Sequence, residues 1–190
     1  MHDLNNIWTL WLHLPHDTDW SINSYKKVSS FHTLEDCIRL IEGINKEIVE
    51  KCMLFIMKNN IKPIWEDNNN CQGGCFSYKI ASDNVNIIWK NLVYSIIGKS
   101  LTNNIELLES INGISISPKK NFCIIKIWIN NVEKLKDNII YNYFNIENQE
   151  NQENQENQEN DPFNLHKICN IEPQLCKFKK HELLYNNTNK

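Results

Sequence analysis

The sequence predicts an α+β domain in which helices cover one face of an antiparallel sheet. Three observations point there. Strand-like runs of aromatic and branched residues recur along the chain, amphipathic helical stretches stand between them, and no Gly-rich crossover of the kind that joins parallel strands links the two. A chain of 190 residues is most economically one domain, 1–190, and long enough to bury a core.

"NIWTLWLHL" (6–14) and "YKKVSSF" (25–31) read as the first two strands. In "HTLEDCIRLIEGINKEI" (32–48), Thr33 stands three residues before Asp36 as an N-cap, and Leu34, Cys37, Ile38, Ile41 and Ile44 follow at helical spacing. "CMLFIMK" (52–58) and "CFSYKI" (75–80) are short apolar strands, the second after a Gly73–Gly74 turn. "NVNIIWKNLVYSIIGKS" (84–100) is a long helix, with Gly98 placed as a left-handed cap. "GISISP" (113–118) and "NFCIIKIWIN" (121–130) flank a short turn holding Lys119 and Lys120, the signature of a hairpin. Alternation puts Lys126 and Trp128 on one face of its second arm. "VEKLKDNIIYNYFNI" (132–146) is a third helix. The "ENQ" repeat over 147–160 has no apolar member to offset its ordering entropy and is expected to be a disordered insertion. The remainder supplies one further strand and a basic tail, "CKFKKH".

The net charge of -3 argues against a protein that coats nucleic acid through a broad basic surface, so any such contact is expected to be small and local. No apolar run approaches the length of a membrane span, and no membrane contact is expected. Seven scattered Cys suit reduced thiols and a cytoplasmic protein. Cys71 and Cys75 in "CQGGC" could be half a metal site, but nothing completes it, and neither metal nor cofactor is expected. Arg39 is the single arginine among abundant Lys, Asn and Ile, the mark of an AT-rich genome such as that of a large DNA virus or a protist. Phosphate contacts must then be made by Lys, a point charge without a bidentate fork.

"IKPIWEDNNN" (61–70) places Trp65 before two acids in a polar turn, and Trp20 in "HDTDWSIN" lies in a comparable loop after the first strand. Each indole is either a loop anchor or a π face for a flat ligand, with the neighbouring carboxylate reading an N–H edge. Two such loops at one end of a sheet could clamp a ring between them.

In order along residues 5–145, the Trp8/Trp11 pair, the loop Trp20, "FHTLED", "IKPIWED", Gly73–Gly74, "IWKNLVYSIIGKS" and "IKIW" resemble the mRNA cap-binding translation initiation factor 4E family. The resemblance implies a curved antiparallel sheet backed by three helices on its convex face, with the cap in the concave mouth. It implies that Trp20 and Trp65 sandwich 7-methylguanine, that Glu66 accepts hydrogen bonds from the base edge, and that Trp128 packs near the methyl group. Methylation gives the ring a positive charge, so stacking gains a cation–π term, and a carboxylate matches a donor–donor edge. Trp8, Trp11 and Trp89 are expected in the core.

Lys119 matches one of the family's basic contacts to the cap phosphates, whereas two others fall on Cys75 and Ile124; Lys120 and Lys126 are expected to compensate. With so few lysines there, affinity is expected to fall only shallowly with salt. On the helical surface that receives the scaffold protein's peptide, the family's Trp falls on Ile38, an apolar neighbour on Cys37 and an apolar contact on Lys90. The face around Leu34, Ile38, Lys90 and Tyr94 is therefore expected to take a divergent scaffold protein or a repressor peptide. The expected function is noncatalytic: a monomer that binds the 5′ cap of mRNA in translation initiation. The alternatives are a cap-binding repressor and an interaction domain that no longer binds cap.

Overall fold

The computed structural model describes residues 1–133, 162–170 and 176–181. Seven strands form one curved sheet: β1 (Asp3–His13), β2 (Tyr25–Thr33), β3 (Met53–Lys58), β4 (Gly74–Ala81), β5 (Ile111–Pro118), β6 (Phe122–Ile129) and β7 (Cys176–Lys180). Their spatial order is β2-β1-β3-β5-β6-β4-β7, and every neighbouring pair is antiparallel.

Strand alternation separates two apolar layers. On β6, Cys123, Ile125, Ile127 and Ile129 join Leu54, Phe76 and the helix residues Trp89 and Leu92 in the main core. Phe55, Met57, Ile61, Cys75 and Trp128 form a second cluster on the opposite, concave face. Trp8 and Trp89 lie in the main core as expected, whereas Trp11, three residues on from Trp8, packs against the concave cluster.

The helical layer differs from expectation at four places. The helix expected over 32–48 is two: α1 (Leu34–Gly43), whose Thr33 cap accepts the Asp36 N–H at 3.2 Å, and α2 (Lys46–Lys51). Asn45 ends the first by starting the second, its side chain accepting the Glu47 N–H at 2.8 Å. The helix α3 (Val85–Ile97) stops as expected around Gly98, but the left-handed residue is Lys99, at φ 56°. There Ser100 donates to the Ser95 carbonyl at 2.9 Å and Lys99 to that of Ile96 at 3.3 Å, the paired bonds of a Schellman ending. A short α4 (Ile105–Ser110), too brief to show a period in sequence, leads into β5. Beyond its first two residues, the helix expected over 132–146 lies outside the described residues, as does the repeat at 147–160. The closing segment contributes α5 (Leu165–Cys169) before β7, and Phe163 packs edge-on against Phe76 at 5.0 Å.

Two bulges shape the concave face. Val28 is extra between the pairs Leu10–Ser29 and Trp11–Lys27, and Asn112 is extra between Ile111–Ile129 and Gly113–Trp128. Bulges bend a strand and re-aim a side chain. Gly73 permits a close approach, since a Cβ there would lie 1.7 Å from the Ile129 carbonyl oxygen. The glycine pair thus serves strand packing, with no positive φ at either residue.

Candidate functional site

The loop carrying Trp65 is held by its polar residues. Asp67 accepts the Lys62 N–H at 3.1 Å with one carboxylate oxygen and the Asn69 N–H at 2.9 Å with the other, so it is consumed in shaping the turn. Asn70 is buried, and its amide donates to the Lys62 and Ile64 carbonyls at 2.9 and 2.8 Å. The bulged Asn112 donates back to Asn70 Oδ1 at 2.9 Å and to the Asn69 carbonyl at 2.7 Å. With Asp67 and Asn70 occupied internally, Glu66 is left exposed beside the half-buried Trp65.

His181, which follows β7, backs Trp65. The two rings stack at 5.3 Å and 16° from parallel. The imidazole Nδ1 lies 2.7 Å from the Asn70 carbonyl oxygen and Nε2 lies 3.1 Å from Cys75 Sγ. Burial holds the imidazole below its ordinary pKa, and burial pushes the Cys75 thiol up to about 12. Both groups are therefore neutral at pH 7, which fixes the tautomer: Nδ1–H donates to Asn70 and the thiol donates to Nε2. Cys75 is a structural donor. Cys71 turns elsewhere, donating to the Asn68 carbonyl at 3.4 Å, so the two thiols of "CQGGC" do not converge.

Trp20 lies in the loop after β1, 57% exposed, and stacks on His13 at 4.6 Å and 4°. Asp19 turns that loop by accepting the Ser21 N–H at 2.8 Å and the Ser21 hydroxyl at 2.9 Å, bonds that hold its carboxyl below the ordinary range. From Trp20 an unbroken run of rings crosses the concave face. His13 meets Tyr25 at 4.8 Å, Tyr25 meets Phe55 at 5.4 Å, Phe55 meets Trp128 at 6.3 Å, and Trp128 meets His181 at 5.3 Å. The inner contacts are tilted or edge-on, while the stacks at the two ends are near parallel. Trp128 is only 3% exposed, and its indole N–H donates to Ser115 Oγ at 3.0 Å, so it forms a wall with little free face.

Both signs of charge gather on this arc. Burial pushes the Tyr25 hydroxyl up to about 12, and the negative charges of Glu66 and Asp19 add to the shift. One phenol thus feels the carboxylates of both indole-bearing loops. Around Trp65, beside Glu66, Lys126 and Lys179 bring their Nζ atoms to 5.8 and 5.4 Å from the ring centre, and His181 feels Glu66 and both lysines. Lys119 and Lys120 are exposed in the β5–β6 turn, about 20 Å along β6 from Lys126 at the usual rise per residue. Sequence reasoning missed His13, Tyr25, His181 and Lys179. Alternation in "CKFKKH" was the available signal, since it places Lys177, Lys179 and His181 on one face.

On the helical side, Leu34 and Ile38 are 38% and 44% exposed one turn apart on α1. Lys90 and Tyr94 of α3 both reach Glu42 of α1, with Lys90 Nζ 2.5 Å and the Tyr94 hydroxyl 2.6 Å from its carboxylate oxygens. Glu42 thereby ties the four residues into one surface, and burial together with this bond raises the Tyr94 pKa.

The sequence profile described as Eukaryotic initiation factor 4E matches residues 3–188. The chain is 31% identical over 140 residues to eukaryotic translation initiation factor 4E of Eremothecium gossypii, an alignment that covers 70% of this chain and 64% of that protein, less than two thirds of its length. Among solved structures, Ascaris suum eIF4E-3 in complex with an m7G cap superposes with a TM-score of 0.71 at 22% identity, covering 100% of this chain and 94% of that one. Caenorhabditis elegans eIF4E-3 in complex with the 4E-binding protein Mextli and a cap analogue gives 0.71 at 21%, covering 95% and 92%. At these identities the superpositions speak to fold.

Proposed function

Because this chain belongs to the eukaryotic initiation factor 4E family, we propose that it is a binding protein rather than an enzyme, and that it holds the 7-methylguanosine cap of mRNA in its concave face during translation initiation. The observation that carries this reading is the ring arc, which ends in two loop indoles and holds Glu66 and two lysines beside Trp65. The indoles and Glu66 suit a flat cationic base, and the lysines suit the phosphates joined to that base.

In this reading Trp20 and Trp65 stack on the two faces of the methylated base, each backed by an imidazole. Glu66, free of the bonds that occupy Asp67, accepts the hydrogens of the base edge. Trp128 contributes the wall near the methyl group. Lys126 and Lys179 take the proximal phosphates, and Lys119 and Lys120 stand at the distal turn. The protein works as a cytoplasmic monomer that recruits mRNA through a divergent scaffold partner on the Leu34, Ile38, Lys90 and Tyr94 face. Retention on a cap-analogue resin, with elution by free cap analogue and not by GTP, tests the reading; passage of the protein through the resin would leave only an interaction domain.

The Glu42 clasp on Lys90 and Tyr94 favours one second reading, a cap-binding repressor that does not recruit the usual scaffold. Rescue of translation in cells depleted of their own cap-binding factor would exclude it.

A further inference from the structure

We propose that the concave face beyond the ring arc is a track for the first nucleotides of the RNA body, with Lys79 and Lys177 as its phosphate contacts. The proposal rests on the cap reading for its direction, since the chain continues from the cap phosphates.

Strands β4, β6 and β7 contain no acidic residue, although the whole chain carries a net charge of -3. Four of their five lysines gather on the concave face by register, Lys180 falling on the other alternation. Ser77 of β4 pairs with Lys126 on one side and with Lys177 on the other, and Lys79 follows two residues further along β4. Three lysines thus flank one small hydroxyl residue in the sheet register. Lys177 and Lys79 are both exposed. One row nearer Trp65, Cys75 pairs with Trp128 and with Lys179, which completes a path from the arc outwards.

Successive rows on one strand face lie about 7 Å apart, comparable to the phosphate spacing of an extended single strand. Lysine is suited to backbone contact without sequence preference. Phe122, half-buried on the same face with Lys79 Nζ 4.5 Å from its ring centre, offers a stacking surface where the path leaves the sheet. An acidic peptide would meet the same charge, but RNA has the continuity: its backbone is covalently attached to the group proposed to sit at the head of the row. The shallow salt dependence expected from sequence is revised accordingly, because β7 brings two lysines to the face.

The test compares a cap dinucleotide, a capped pentanucleotide and an uncapped pentanucleotide, titrated at several salt concentrations against the wild type and a Lys79→Gln/Lys177→Gln variant of unchanged melting temperature. The wild type should bind the capped pentanucleotide about five- to tenfold tighter than the dinucleotide, with a salt slope steeper by about 1.4, or roughly 0.7 for each added phosphate contact. The variant should lose that increment and keep its affinity for the dinucleotide. Equal binding of the short and long capped ligands, or an increment that survives in the variant, would overturn the track. A preference for polyglutamate over uncapped RNA of equal charge would also overturn it in favour of a protein partner. Lysine-dependent binding of the uncapped RNA with no preference for a cap would instead retain the track and refute the cap reading.

Discussion

The Trp65 indole and the His181 imidazole lie face to face, 5.3 Å apart and 16° from parallel. His181 is itself fixed, by its backbone N–H on the Gly73 carbonyl at 2.9 Å and by its ring contacts to Asn70 and Cys75 at 2.7 and 3.1 Å. In the proposed cap site Trp65 would therefore meet its ligand already ordered, which lowers the entropic cost of binding. His181→Ala should weaken cap binding by about 0.5–1.5 kcal/mol, the cost of immobilising one side chain, without removing a ligand contact. Calorimetry on the variant checks this, and an unchanged binding entropy would show that the stack does not order the indole.

Direct contacts should cost more. Glu66→Gln replaces a charged acceptor with an amide of mixed character and should lose roughly 1.5–3 kcal/mol of cap affinity. Trp20→Leu and Trp65→Leu should each lose about 1–3 kcal/mol, the range for one stacking face. Asp67→Asn should act differently, lowering the melting temperature through the Lys62 and Asn69 bonds it disturbs.

Acidification should destabilise the fold through His181. Its folded pKa is depressed by burial, opposed by the Asn70 bond and the Glu66 charge and reinforced by Lys126 and Lys179. The unfolded chain therefore binds the proton more readily, and the stabilising contribution is present above the ordinary histidine value of about 6.5 and lost as pH falls through the folded pKa. The melting temperature should fall between pH 7 and pH 5, and His181→Phe should flatten that fall. Asp19, Glu35 and Glu42, held down by hydrogen bonds, act in a lower window.

Asn70→Leu should be among the most damaging single changes near the site. It leaves the Lys62 and Ile64 carbonyls without the partner seen here and removes one of the two bonds of the Asn112 amide, and each buried polar group left unpaired costs roughly 1–3 kcal/mol. Denaturant unfolding measures the loss, and cap affinity should fall with it because the same loop carries Trp65.

On the helical face, Ile38→Trp should strengthen binding of an ordinary scaffold peptide by at least about 2 kcal/mol, the scale of an aromatic anchor. Tight binding of that peptide by the unmodified chain, measured by calorimetry, would refute a divergent partner.

The fold was legible where pattern length exceeded ambiguity. Alternation in "NFCIIKIWIN" separated Lys126 and Trp128 from the core isoleucines, and Thr33 announced α1. Short elements escaped: the six residues of α4 show too little periodicity, and the break at Gly43–Asn45 depends on a cap that also fits a helix interior. The candidate site was half legible. Trp20, Trp65 and Glu66 stand in sequence beside recognisable turns, but the rings that back and join them are brought together only by register. His181 pairs with nothing nearby in sequence, and its partner Cys75 lies 106 residues away.

The central claim, a cationic base held between two indoles, is tested most directly by the ratio of dissociation constants for the N7-methylated and unmethylated cap at fixed salt. Removing the methyl group removes the ring charge and leaves the edge and phosphate contacts in place. The cation–π contribution is about 0.5–2 kcal/mol for each desolvated indole, so the methylated cap should bind at least about fivefold tighter. Equal affinity for the two, unaffected by Trp20→Leu or Trp65→Leu, would contradict the account and return both indoles to the role of loop anchors.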